Sequence, residues 1–151
     1  MGLLSRLLGT GTARDLVADL AEDYRAEATQ AALLRAYAER ARYPQMAEAL
    51  RRLAEVEERH ASWLRDRLLT LGAAVPAVDA QPKPGQNQWA RVVAAHEAAQ
   101  RKRRRLVEQI AHWDPEEPTV VEMLARIEHE DAQQFSAYDH LIMRSDPQAL
   151  D

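Results

Sequence analysis

The sequence contains no cysteine. That excludes disulfides, thiolate zinc sites, iron–sulfur clusters and cysteine nucleophiles together, so any metal must be held by nitrogen and oxygen. Glycine is scarce, with 5 in 151 residues, and aromatics make up only 5%, which argues against a β-sandwich. No apolar run approaches the ~18 residues needed to span a bilayer. Arg6 interrupts the opening segment too early for a secretory signal, and it also stands where a myristoylation pattern needs Ser or Thr. Nor is one charge in large excess: 20 basic against 24 acidic residues give a net charge of −4. That balance offers no global reason to expect nucleic acid or an anionic membrane as partner. The expectation is a cytoplasmic protein without membrane or nucleic-acid partners. What the chain does hold is Ala, Leu, Glu and Arg, at 46% hydrophobic and 29% charged, the composition of long helices packed as one domain.

Four helices follow from the periodicity. Thr12 and Asp15 form a cap pair ahead of a first stripe of Leu16, Leu20, Tyr24, Ala31, Leu34 and Ala38. Pro44 suits the first turn of a second helix with Met46, Leu50, Leu53, Leu64 and Leu68 on its stripe, ended by Gly72. Residues 73–88 are rich in Pro, Gly, Gln and Asn and read as a loop. Asn87 caps a third helix carrying Trp89, Val93, Val107 and Ile110 to about His112; Asp114 and Pro115 then open a fourth with Leu124, Ile127, Phe135, Tyr138 and Ile142. The expected division is a tail at 1–12, a bundle at 13–143 and a polar, frayed tail at 144–151. A loop of ~16 residues can stretch over ~50 Å, whereas a helix of about 27 residues is only ~40 Å long. The loop can thus cross the whole bundle, the connectivity of a ferritin-like four-helix bundle.

Each stripe also carries acid: Glu27 on the first helix, Glu57 with His60 on the second, Glu97 on the third, Glu128 and Asp131 on the fourth. The i,i+3 spacing of Glu57 and His60 places both on one face. Spacings repeat: Glu27 to Glu97 is 70 residues, while Glu57 to Glu128, His60 to Asp131 and Pro44 to Pro115 are each 71. Acids at matching heights from their turns are expected to meet in one layer. Bare carboxylates there would each cost several kcal/mol or more, so metal ions, protonation or buried arginines must compensate. Two divalent cations would suit, with Glu57 and Glu128 bridging ions ~3.5–4 Å apart, Glu27 and His60 closing one, and Glu97 and Asp131 the other. Oxygen-rich ligation with one imidazole favours iron, with manganese also possible, over copper.

The pattern of a Glu on helix one, Glu-x-x-His on helix two, Glu on helix three and Glu-x-x-His on helix four resembles the rubrerythrin-like (erythrin) proteins of the ferritin-like superfamily, across residues 13–143. Glu27, Glu57, His60 and Glu97 match; Glu128 matches, and Asp131 stands in place of the second histidine. Gln100 stands where rubrerythrins often carry a further Glu, and no rubredoxin-like cysteine module is present. The resemblance implies a non-haem di-iron centre that oxidises Fe(II) with O2 or H2O2, supplied by a separate electron donor, in a homodimer.

Two other readings stand beside it. The run Arg101-Lys102-Arg103-Arg104-Arg105 covers every face of its helix, and Arg103 or Arg104 could replace the second cation, giving a structural bundle with one metal or none. Alternatively the centre is a di-iron oxygenase acting on an organic or RNA substrate, which requires an open channel beside the site. The leucines at 3, 4, 7 and 8 read as a packing or dimer patch.

Overall fold

The computed structural model describes residues 14–150; Thr12 and the N-terminal leucine patch lie outside them. Four helices are present among the described residues: α1 (Leu16–Arg40), α2 (Pro44–Thr70), α3 (Gln88–Trp113) and α4 (Pro118–Met143). Their ends have local causes. The Asp15 carboxylate accepts the Val17 N–H at 2.9 Å and the Asn87 side-chain oxygen accepts the Ala90 N–H at 2.9 Å, each satisfying a first-turn donor that has no helical partner. Gly72 takes a φ of 71° just past α2, the left-handed conformation that glycine adopts without steric cost. No described helix is long and apolar enough to cross a membrane.

One boundary differs from the expectation. Asp114 does not open the fourth helix; it closes the third, in an extended conformation with ψ 128°, which a following proline imposes. Pro118, not Pro115, takes the first helical turn. The turn-to-turn repeat is therefore Pro44 to Pro118, 74 residues, and the same shift relates Leu50 to Leu124 and Leu53 to Ile127, all buried. It also relates Glu57 to Asp131. Between α1 and α3 the caps Asp15 and Asn87 are 72 apart, which relates Leu34 to Leu106 and Glu27 to Ala99.

Polar contacts fix the helix directions. Asp19 meets Trp113, Asp23 meets Gln109, Glu27 meets Lys102 and Gln30 meets the Ala95 carbonyl. Residue numbers rise on α1 as they fall on α3, so the two are antiparallel. α2 and α3 therefore run parallel, and residues 71–87 must travel the length of the bundle, which is the ferritin-like connectivity. At the far end, Asn87 Nδ2 donates to the Pro147 and Ala149 carbonyls, tying down the tail read as frayed.

The α3 stripe is rotated by one residue, about 100°, from the expectation. Val92, Ala95, Ala99, Lys102, Leu106, Gln109 and Trp113 are buried, while Val107 is exposed and Val93 and Ile110 are half-buried. The apolar core forms two clusters. One gathers around Leu34, Leu50, Leu53, Val92 and Tyr138, the other around Leu20, Leu64, Leu68, Leu106 and Leu124. Between them lies a polar layer.

Candidate metal centre

Every helix contributes to that layer. Glu27 of α1, Glu57 and His60 of α2 and Asp131 of α4 are all at most 3% exposed, and one ligand atom from each lies within 4.8 Å of the others. Glu57 and His60 share a face because they stand three residues apart on one helix. The remaining expected ligands are elsewhere. Glu97 is exposed, a consequence of the rotated stripe, and Glu128 accepts from Arg103 Nε at 2.8 Å toward the surface.

The centre of the layer holds a lysine. Lys102 Nζ donates to Glu27 Oε2 at 2.8 Å and to Glu57 Oε2, and lies 3.6 Å from Asp131 Oδ2. Ala95 and Ala99, small and buried on the same face, leave the volume that its long stem needs. The internal cation is thus neither of the expected residues: Arg103 pairs with Glu128, and Arg104 is exposed. Five consecutive basic residues cover all faces, so only the helix register decides which enters the core. The 3-4 spacing of 92, 95, 99, 102, 106, 109 and 113 is the signal that could have selected Lys102.

His60 Nδ1 lies 3.2 Å from Asp131 Oδ1 and 3.7 Å from Glu27 Oε2, and Nε2 lies 3.8 Å from Glu130 Oε2. The two longer contacts are beyond hydrogen-bond reach, and both ring nitrogens and both Asp131 oxygens are buried without a hydrogen-bond partner. Glu130, missed at the level of sequence, is held by Arg59 at 2.6 Å. The Trp63 ring stands 5.3 Å from the imidazole and is covered by Arg126 at 4.5 Å, walling this side of the layer.

The charges interact strongly. Burial works against ionising Glu27, but the Lys102 ammonium together with Glu57 and His60 outweighs it and holds that carboxyl below the usual range. Burial and the neighbouring Glu27 charge push Glu57 and Asp131 up. Burial alone would lower His60, yet Asp131 and Glu27 raise it to about 9. Lys102 is likewise raised against its burial by the Glu27, Glu57 and Asp131 carboxylates. With no metal bound, the layer approaches neutrality as two cations facing ionised Glu27 and a shared proton on the other acids.

A separate acid lies one turn away. Asp23 accepts from Gln109 Nε2 at 3.0 Å and faces Arg105 Nε at 3.3 Å, yet burial raises it from 3.8 to about 7. A carboxyl with a raised folded-state pKa contributes stability at low pH that is lost as pH rises through that value. Asp23→Asn removes this penalty. The variant is expected to gain about 1–3 kcal/mol on wild type at about pH 8 and nothing at about pH 3, below the ordinary carboxyl value, read from urea midpoints. An equal effect at both pH values contradicts the assignment.

The sequence pattern of the Rubrerythrin family matches residues 20–138, and no curated protein matches the chain. Solved structures agree on the fold. Two crystal structures of an open pore ferritin from the hyperthermophilic archaeon Archaeoglobus fulgidus superpose with TM-scores of 0.69 and 0.70. Identity is 15% over 89% of this chain and 86% of the first, and 17% over 88% of this chain and 85% of the second. With the family pattern spanning all four helices, from Leu20 to Tyr138, this chain belongs to the rubrerythrin family.

Proposed function

We propose that this protein binds one divalent transition-metal ion, iron or manganese, on Glu27, Glu57, His60 and Asp131, and oxidises Fe(II) at the expense of O2 or H2O2. The observation that carries this reading is the set of buried atoms without hydrogen bonds on His60 and Asp131 inside a four-donor cluster. Such atoms are rare because each costs about 1–3 kcal/mol; Lys102 and His60 meet Asp131 only as charges at 3.6 and 3.2 Å, and an ion on the four donors would supply the bonds they lack. Carboxylate oxygens with one imidazole suit iron or manganese. Charge favours one ion over two. A divalent ion with the Lys102 ammonium balances three carboxylates, with His60 neutral as a ligand must be, whereas a second ion would have neither Glu97 nor Glu128 to neutralise it.

Bound iron would supply one-electron redox chemistry. The chain's own residues set the conditions: the polar layer sits between two apolar clusters, Glu130 and Trp63 close the imidazole side, and Lys102 holds a proton at Nζ beside the donor set. Peroxide accepts two electrons, so a one-ion site must be reloaded between them by ferrous iron or a separate donor. Lys102 itself favours a second reading, a structural bundle whose interior acids are neutralised by an ammonium. Elemental analysis separates the two. About one equivalent of iron or manganese per chain is expected, lost in His60→Ala; a negligible content after loading of both proteins leaves the structural bundle. A ferrous protein inert to both oxidants in stopped-flow mixing would end the oxidation proposal alone.

A further inference from the structure

A groove of about 570 Å³ runs between α1 and α3, bordered by Gln81, Lys83 and Gln86 of the crossing connection. That volume is in the range of small-molecule sites. Its walls are lined by small residues, Ala26 and Thr29 of α1 and Ala94, Ala95 and Ala98 of α3. Since the two helices are antiparallel, its two ends differ in chemistry. Arg25, Arg101 and Arg105 lie toward one end, with Lys102 on the lining; Leu33 and Tyr37 lie toward the other, bordered by Gln86, whose carbonyl accepts from Arg91 at the start of α3. The only acid on the lining is Glu22, which Arg105 already engages at 3.3 Å. Arg25, Arg101 and Lys83 pair with no acid among the described residues. A bundle seam is ordinarily filled by larger side chains; here it stays open beside these cations.

We infer that this groove binds an amphipathic organic anion, a medium-chain carboxylate, with its head on Arg25 and Arg101 and its apolar chain laid along the alanines toward Leu33 and Tyr37. Arginine forks match a carboxylate by two parallel hydrogen bonds, and the alanine walls offer the chain an apolar bed. The site needs no metal, so it stands or falls separately from the metal-binding proposal.

Calorimetric titration of the metal-free, full-length protein tests it. Decanoate is expected to saturate one site per chain, with acetate undetectable and neutral 1-decanol at least about tenfold weaker. Each methylene removed between decanoate and hexanoate should cost roughly threefold to fourfold in affinity. Arg25→Glu with Arg101→Glu, both at exposed positions, should weaken decanoate by about tenfold or more, while Arg51→Glu on α2, outside the groove, should leave it unchanged. Ala98→Leu, which fills the groove without altering charge, should weaken decanoate more than hexanoate and serves should the double variant fail to fold. Decanol binding as tightly as decanoate, decanoate affinity indifferent to both the charge reversals and Ala98→Leu, or no saturable binding would each overturn the proposal.

Discussion

Lys102→Met is expected to destabilise the metal-free protein by about 3–5 kcal/mol at about pH 8, because removing one partner of a buried ionic cluster leaves uncompensated charge behind. Methionine preserves most of the stem's volume, so the loss is electrostatic and not a cavity. Glu27 and Glu57 lose their shared donor, Asp131 loses its second cation, and only His60 remains against three acids. The sign of the pH dependence follows from Glu27, whose folded-state carboxyl is held below its ordinary value by this ammonium. Its pairing contributes stability above the unfolded carboxyl range and loses it as pH falls. The gap between variant and wild type should accordingly narrow only as pH falls below about 4, where the unfolded chain and the variant take up protons while Glu27 of wild type stays ionised. Against a total stability of about 5–15 kcal/mol for a domain, the loss is large enough to read in urea unfolding with chelator present. Manganese should then restore much of it in the variant, since an ion meets the same three carboxylates without a competing ammonium. A midpoint equal to wild type in chelator would show that the layer does not depend on Lys102.

The bundle, its two hairpins and its long crossing are legible in the sequence because caps, prolines and the 73–88 composition mark every break. α1 and α2 also declare their inward faces, and with them Glu27, Glu57 and His60, because Leu20 and Leu34 on the one and Leu50, Leu53, Leu64 and Leu68 on the other mark the core side. α3 does not. Val93, Val107 and Ile110 flank its core, whereas Val92, Leu106 and Trp113 share the core positions with Ala95, Ala99, Lys102 and Gln109. The helix thus carries two apolar rows one residue apart, and following the outer one brings Glu97 inward and hides Lys102. The same error enters the repeat. Anchored on Pro115 it equates Glu57 with Glu128; anchored on Pro118 it equates Glu57 with Asp131, the acid that the structure brings to the layer. Side-chain contacts such as Glu128 with Arg103 decide the rest, and they depend on tertiary register that a single sequence leaves open.

Lys102→Glu tests the opposite substitution at the same point and should change stoichiometry. It replaces the central cation by a fourth carboxylate contributed by α3, beside Glu27, Glu57, Asp131 and His60. Glutamate is one bond shorter than lysine, and metal–oxygen bonds of ~2.0–2.2 Å would set an ion close to the space that Nζ occupies. Four carboxylates balance two divalent ions, so on the proposed metal-binding reading the variant should take up about two equivalents of manganese or iron per chain where wild type takes about one. Without metal it should be less stable than Lys102→Met, since a further buried charge has been added in place of a neutral group. With metal at about 100 times its Kd, each site that binds only the folded chain returns about 2.7 kcal/mol, so thermal unfolding of the variant should depend on metal concentration more steeply than that of wild type. Elemental analysis and melting curves across a manganese titration measure both effects. A variant that folds yet holds one equivalent or none would mean that the ammonium is not what limits this layer to a single ion, and that the absent Glu97 and Glu128 carboxylates are.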